Sequence, residues 1–188
     1  MQTGFQNSEK RCSFSTWMRY WLAAAAATLT LWNCLAASPP AVPESRRLPV
    51  DTIWAGIQCG CEEREPLVRW LADQNQLAAA MAATGSAALQ SRLARHPVDW
   101  THHGILWICM GLKPSGGYAL SLAESSATVT EGVAAITVHW RQPRPGSVVT
   151  QQLTSPCLLL SVAREGFHTI QIKDEAGRVR ANLEIDNK

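Results

Sequence analysis

A small set of side chains could act as nucleophiles or as the bases that activate them. The candidate nucleophiles are Cys59, Cys61, Ser115 and Ser155. The candidate bases are His102, His103, His139 and His168. Covalent catalysis needs a nucleophile held within hydrogen-bonding distance of its base, and no G-x-S-x-G elbow or Cys-His-Asn signature marks such a pair. We therefore predict no catalytic residue, and an enzyme is the second alternative among the functions considered.

The same residue types could ligate a metal. Cys59 and Cys61 would need two further ligands, and His102-His103 is the only histidine pair in the chain. Structural zinc sites favour two pairs with C-x-x-C-like spacing, which Cys59-Gly60-Cys61 lacks. We predict no metal and no cofactor.

Six cysteines are present, of which Cys12 and Cys34 belong to the amino-terminal segment. The other four allow three disulfide pairings, and the sequence does not choose among them. One of the four, Cys109, lies in the apolar run Gly104–Met110. A cysteine in such a run is expected to be a buried free thiol.

Charge excludes one class of function. The chain has 17 basic and 15 acidic residues among its 188. Before Ala37 stand three basic residues and one acidic residue, so the rest of the chain is neutral. Nucleic-acid binders concentrate Lys and Arg to displace phosphate counterions, and this chain does not. With 46% hydrophobic residues, most of the chain is expected to fold.

Residues 1–37 have the pattern of an export signal. Three basic residues precede the apolar stretch Trp21–Trp32, and small residues around Ala37 follow it. The apolar stretch is shorter than the ~20 residues of a spanning helix, which favours cleavage. Retention as an anchor and lipidation at Cys34 stay open as alternatives. Residues 38–50 contain four prolines and are predicted to be a linker.

The remaining residues, 51–188, are predicted to form one domain. Apolar residues recur at helical spacing from Glu65-Pro66 to Thr84-Gly85, which predicts a long helix. A shorter helix is expected from Ser86 to Arg95, and Pro97 ends it. Strand patterns follow in the second half of the domain, and Thr52–Cys59 is expected to be a strand before the helices. We predict an α+β fold: a mostly antiparallel sheet, with one long and one short helix near the start of the domain.

One connection between predicted strands is rich in turn residues. Gly111–Tyr118 contains Pro114, which fixes φ, and Gly116-Gly117, which tolerate positive φ. On composition alone this is a hairpin connection.

Its neighbours in the sequence add a resemblance. The segment Pro97–Trp100 precedes the strand before the turn, and Thr150–Pro156 precedes a later strand. This order resembles the C-terminal domain of PrcB-type protease complex subunits, in which a P-V-D-F-like segment, a G-x-K/R-P-T/S-G-G-Y turn and a Q-x-x-T-x-P segment follow one another. The resemblance covers about Thr52 to Gln171. Two positions depart from the pattern, since Trp100 replaces a phenylalanine and Cys157 follows Pro156 where an aromatic residue is common.

The resemblance implies an exported bacterial domain of the periplasm or cell envelope, lipid-anchored in some members. We predict a non-catalytic interaction module whose partner is a protein, in particular an exported protease or its complex. Contact with a membrane is expected only through the leader or a lipid. The predicted partner-binding residues are Lys113, Pro114, Ser115, Gly116, Gly117, Tyr118, Gln151, Thr154 and Pro156.

A protease inhibitor is the first alternative. The Pro114–Tyr118 turn loosely resembles the N-P-T-T-G-Y/F loop of chagasin-type cysteine protease inhibitors. Those inhibitors also use an Arg-Pro-Trp element, whereas Arg144-Pro145 is followed here by Gly146.

Overall fold

The computed structural model of the chain describes residues 44–84 and 87–185. The predicted export signal, with Cys34, lies outside the described residues, as does the first part of the linker. The strands are β1 (Ser45–Gly56), β2 (Leu67–Leu71), β3 (His103–Cys109), β4 (Ala119–Leu122), β5 (Ser126–Thr130), β6 (Val133–Arg141), β7 (Cys157–Ala163), β8 (Thr169–Asp174) and β9 (Val179–Glu184). The helices are α1 (Gln74–Thr84) and α2 (Ala87–Leu93).

The strands form one continuous sheet in the order β2-β3-β7-β1-β5-β6-β8-β9, with β4 paired to β6. Strands β6 and β8 pair in parallel, and the other pairings are antiparallel. The two ends of this order, β2 and β9, lie against each other. The sheet is therefore curled into a nearly closed barrel.

This architecture corrects the predicted α+β fold with a long helix. Over the described residues the fold is mostly sheet, and the two helices found there have 11 and 7 residues. The predicted long helix is in fact β2 followed by α1. Asp73 separates the two, because its carboxylate accepts a 2.8 Å hydrogen bond from the backbone N–H of Gln76 and its carbonyl accepts one from Leu77. Asp73 is thus the N-cap of α1, and Leu67–Leu71 can leave the helical path and pair with β3.

The linker prediction also needs correction at its carboxyl end. Residues 45–50 belong to β1, which pairs first with β5 and then with β7. Pro49 lies opposite Ser126 at the end of the β5 pairing, and the next residue, Val50, donates its N–H to the carbonyl of Ser125. A proline is tolerated there because β1 changes neighbours at that point and needs no ladder donor.

Two apolar layers use opposite faces of β3 and β7. Leu106, Ile108, Leu158 and Leu160 point into the barrel and belong to its core. The alternate residues belong to a second cluster, beneath α1 and α2, that contains Trp107, Leu159 and all four cysteines of the domain. Because both faces of these two strands are buried, their sequences are continuous apolar runs. Within the described ranges, neither helix has the length and apolar character needed to cross a membrane.

Candidate functional site

Two disulfides fix the chain that follows β1. Cys59 is bonded to Cys157, with their Cα atoms 5.9 Å apart, and Cys61 is bonded to Cys109, with a Cα separation of 6.7 Å. Cys109 and Cys157 face each other across the β3–β7 pairing. The Cys59-Gly60-Cys61 segment is therefore tied to two neighbouring strands, and Cys109 is not the free thiol expected from its apolar surroundings.

Ser155 adds hydrogen bonds to this attachment. Its buried hydroxyl oxygen accepts bonds from the backbone N–H groups of Cys59 (2.9 Å) and Gly60 (3.0 Å). Its own N–H donates to the carbonyl of Ile57 at 2.9 Å. The Gln58 side-chain amide donates to the carbonyl of Leu153 at 3.1 Å. The segment before β7 is thus held against residues 57–60.

The structure also brings together the two segments that the sequence singled out. Lys113 and Thr154 exchange backbone hydrogen bonds of 2.7 and 3.0 Å. The Thr154 hydroxyl donates to the carbonyl of Ser115 at 2.9 Å, and the Gly116 N–H donates to the carbonyl of Thr150 at 2.9 Å. The Gly111–Tyr118 turn and the Thr150–Pro156 segment therefore form one backbone-paired unit.

The two adjacent glycines of the turn have different requirements. A Cβ at Gly116 would collide with the hydroxyl of Thr150. Gly117 has a φ of 85°, in the left-handed region, and a Cβ there would lie 3.0 Å from Cβ of Pro143. Glycine is needed at both positions because the turn lies tightly against the chain that follows β6.

The nine predicted partner-binding residues do not share one environment. Pro114, Gly117 and Gln151 are exposed, and Lys113, Ser115 and Tyr118 are partly buried. Gly116, Thr154 and Pro156 are buried. A partner could contact the side chains of these three buried residues only after a rearrangement of the turn.

The sequence reading missed the most exposed apolar side chains of the region. Val148 is fully exposed, Leu153 is 60% exposed and Ile57 is 54% exposed. We call Ile57, Val148 and Leu153 the apolar rim. The carbonyls of Ile57 and Leu153 accept the bonds from Ser155 and Gln58 that join the two segments. Val148 lies on the irregular stretch between β6 and β7. No pattern in the sequence separates such exposed residues from core residues, because regular spacing is lacking there.

The candidate nucleophiles are all engaged by the fold. Both cysteines are oxidised in disulfides. The Ser115 hydroxyl donates to the carbonyl of Gly116, and Ser155 binds backbone N–H groups as described. Among the candidate bases, Nδ1 of His139 lies 2.6 Å from a carboxylate oxygen of Glu175.

His102 has an acidic partner. Its Nδ1 lies 2.8 Å from a carboxylate oxygen of Asp99, and both side chains are largely exposed. This hydrogen bond raises the pKa of His102 and lowers the pKa of Asp99. The pair stabilises the turn before β3, because the backbone N–H groups of His102 and His103 also donate to the carbonyl of Asp99. In the described part of the chain, no three His, Cys, Asp or Glu residues are grouped so as to hold a metal ion.

Comparison with protein families confirms the resemblance over the centre of the domain. Residues 105–163 match the family model described as PrcB C-terminal. The matched segment runs from β3 to β7 and contains both the Gly111–Tyr118 turn and the Thr150–Pro156 segment. Neither curated proteins nor solved structures give a match.

Proposed function

We propose that this protein is a non-catalytic interaction module that is exported to the bacterial cell envelope, where it binds a protease or a protease complex. The family match supports a protease-associated module. The observation that carries the proposal is the apolar rim, three exposed aliphatic side chains. Two of them, Ile57 and Leu153, stand on backbone that is held by hydrogen bonds, and the Cys59–Cys157 disulfide lies next to Ile57.

Backbone order and side-chain exposure together suit protein binding. Exposed apolar groups gain free energy when a partner removes them from water. Loops held by a rigid sheet lose little conformational entropy on binding, so more of that gain appears as affinity. Neutral net charge outside the leader fits a protein partner better than a nucleic acid. The domain itself needs no membrane contact for this role.

The test is capture of partners from the native cell envelope with the purified domain, followed by affinity measurement on the purified pair. Leu153→Asp places a charge in the rim, and Val179→Asp is the matched control. Val179 is also an exposed aliphatic residue, 47% exposed, but it lies on β9. We expect Leu153→Asp to release a protein that the native domain and the control both retain. Equal retention by all three would contradict a role for the rim.

Replacing Gly116 and Gly117 with valine is a less selective test of the binding surface. Both substitutions would force the turn away from Thr150 and Pro143, so loss of binding would also follow from local misfolding. They are informative only when binding survives, since the turn would then be shown to have a structural role alone.

A protease inhibitor is a second candidate, favoured by one observation. The turn at Gly117 lies directly beside Pro143 and Val149, so two separate loops present a joint surface next to each other, as loop-based inhibitors require. Titration of papain-like and serine proteases with the domain tests this function. Stoichiometric inhibition would support it, and full activity at excess domain would exclude those protease classes as targets of inhibition.

A further inference from the structure

The apolar rim lies beside basic residues that the proposed function does not use. We call Lys113, Arg141 and Arg144 the basic strip. Arg141 and Arg144 are exposed, and Lys113 is partly buried. Within residues 44–84 and 87–185, none of the three forms an ion pair with an acidic side chain. Their charges are therefore not neutralised by the fold.

Backbone pairing fixes the two ends of the surface that carries the strip. At one end, Lys113 exchanges backbone hydrogen bonds with Thr154, which follows Leu153 of the apolar rim. At the other end, Arg141 is opposite Ala119 in the β4–β6 pairing. The turn and the chain after β6 thus run side by side from the apolar rim to the last residue of β6.

The middle of this surface joins the strip to the rim a second time. Gly117 lies close against the side chain of Val149, which follows Val148 of the rim. Gly117 also lies against Pro143, which precedes Arg144 of the strip. Basic and exposed aliphatic side chains therefore occur together along one continuous stretch of surface.

This surface carries charge of one sign. The described residues include 13 basic and 13 acidic side chains, yet residues 111–119 and 141–156 contain the basic strip and no Asp or Glu. Glu63 reaches the start of the turn only through its carbonyl, which accepts from the Leu112 N–H. Its carboxylate is 3.3 Å from the guanidinium of Arg69. A local positive field therefore stands on a domain that is neutral overall, and such a field attracts negative charge.

We propose that this surface binds an acidic, aliphatic segment of the protein partner, in which Asp or Glu residues lie among aliphatic ones. The aliphatic side chains cover the apolar rim, and the carboxylates pair with the basic strip. A guanidinium can bind a carboxylate through two parallel hydrogen bonds, so Arg141 and Arg144 set the register of the segment. This proposal rests on the proposed function, since it gives the chemistry of the segment that the partner presents.

An anionic membrane also offers negative charge beside apolar groups, but it fits this surface less well. Clusters that recognise anionic lipids usually contain about four to eight Lys or Arg residues, whereas the basic strip has three. The family match also favours a protein partner.

The experiment measures the binding of three blocked peptides to the purified domain by fluorescence anisotropy. The first is Glu-Leu-Glu-Gly-Leu-Glu, and the other two have Gln or Lys in place of every Glu. All three have the same length and the same aliphatic residues, so a difference in affinity is due to the carboxylates. We expect the acidic peptide to bind saturably, the Gln peptide at least about tenfold more weakly, and the Lys peptide more weakly still. Salt should weaken binding of the acidic peptide, because the strip is solvent-exposed.

Charge reversal locates the site. Arg144→Glu changes the strip, and Arg95→Glu is the matched control, since Arg95 is an exposed arginine that lies after α2. The two variants have the same net charge, so a difference between them is due to position. Arg144→Glu should weaken binding of the acidic peptide about fivefold, mainly through slower association, and Arg95→Glu less than about twofold. Both should unfold at the urea concentration of the native domain, because each side chain is exposed.

The protein captured from the envelope separates this inference from the proposed function. If Leu153→Asp loses that protein while Arg144→Glu binds it as tightly as the native domain does, the proposed function stands and an acidic contact segment is contradicted. If the acidic peptide binds through Arg144 but no envelope protein depends on Leu153, the acidic preference stands and the proposed function fails.

Three results with the simple probes would overturn the acidic segment as the occupant. The first is equal binding of the acidic and Gln peptides. The second is an equal loss of affinity in Arg144→Glu and Arg95→Glu. The third is binding of phosphatidylglycerol vesicles that depends on Arg144 while the acidic peptide does not bind, which would assign the surface to a membrane.

Discussion

Two turns of this domain use polar groups in opposite ways. In the β8–β9 turn, the buried carboxylate of Asp174 accepts bonds from the backbone N–H groups of Ala176 and Arg178 and from the side chains of Arg178 and Arg180. In the turn at Gly111–Tyr118, backbone and hydroxyl groups make the bonds, and the apolar rim nearby stays exposed. The polar side chains of the first turn are bonded within the fold, whereas the second region leaves aliphatic side chains exposed, as the proposed binding surface requires.

This contrast predicts that stability and binding can be separated by substitution. Substitutions of residues that anchor the backbone should lower the free energy of unfolding. Substitutions in the apolar rim should change only the affinity for a partner.

Among these groups, the Cys59–Cys157 disulfide should contribute most to the free energy of unfolding. It joins residues 98 positions apart, so its loss releases a long loop in the unfolded chain. Replacing both cysteines with alanine should lower the free energy of unfolding by about 4 kcal/mol. Urea denaturation of the oxidised native and variant domains measures this. Equal midpoints would show that residues 57–60 are held without the disulfide.

Asp174 should make stability depend on pH. Burial raises the pKa of this carboxyl, but the hydrogen bonds from Arg178 and Arg180 outweigh it and lower the pKa to about 2. The unfolded pKa is about 4, so the stabilisation is complete above that pH and is lost as the pH falls towards 2. The melting temperature of the native domain should fall more steeply between pH 5 and pH 2 than that of Asp174→Asn. Parallel curves for the two would contradict this assignment.

Loss of the Thr154 hydroxyl should lower the free energy of unfolding by less than loss of the disulfide. Thr154→Val removes the hydroxyl that binds the Ser115 carbonyl, and we expect a loss of about 1 kcal/mol. Thr128→Val is the control, since Thr128 is exposed on β5. Its stability should change by less than about 0.5 kcal/mol. If the two variants are equally stable, the Thr154 hydroxyl does not hold the turn.

The strands of the second half were largely predictable from the sequence. Continuous apolar runs predicted β3 and β7, and alternation predicted β6, because burial on two faces or on one leaves these patterns. Strand β2 was missed because its four apolar residues continue the spacing of α1. The N-cap at Asp73 was the available signal that the helix begins later.

The candidate site was predictable only in part. The Gly116-Gly117 turn and the Thr150–Pro156 segment were identified, and the structure pairs them. The disulfide pairing depends on which strands lie side by side, which spacing in the sequence does not reveal. The exposure of Val148 and Leu153 depends on an irregular stretch of chain with no periodicity, so the apolar rim could be recognised only from the fold.

The most direct test of the account compares Leu153→Asp with Val179→Asp in both stability and binding. Both variants should unfold within about 0.5 kcal/mol of the native domain, because each side chain is exposed. Only Leu153→Asp should weaken binding to the protein captured from the envelope, by at least about tenfold, since it places a charge where an apolar contact is expected. Unchanged affinity in Leu153→Asp, or an equal loss in both variants, would contradict the central claim that the apolar rim is the binding surface.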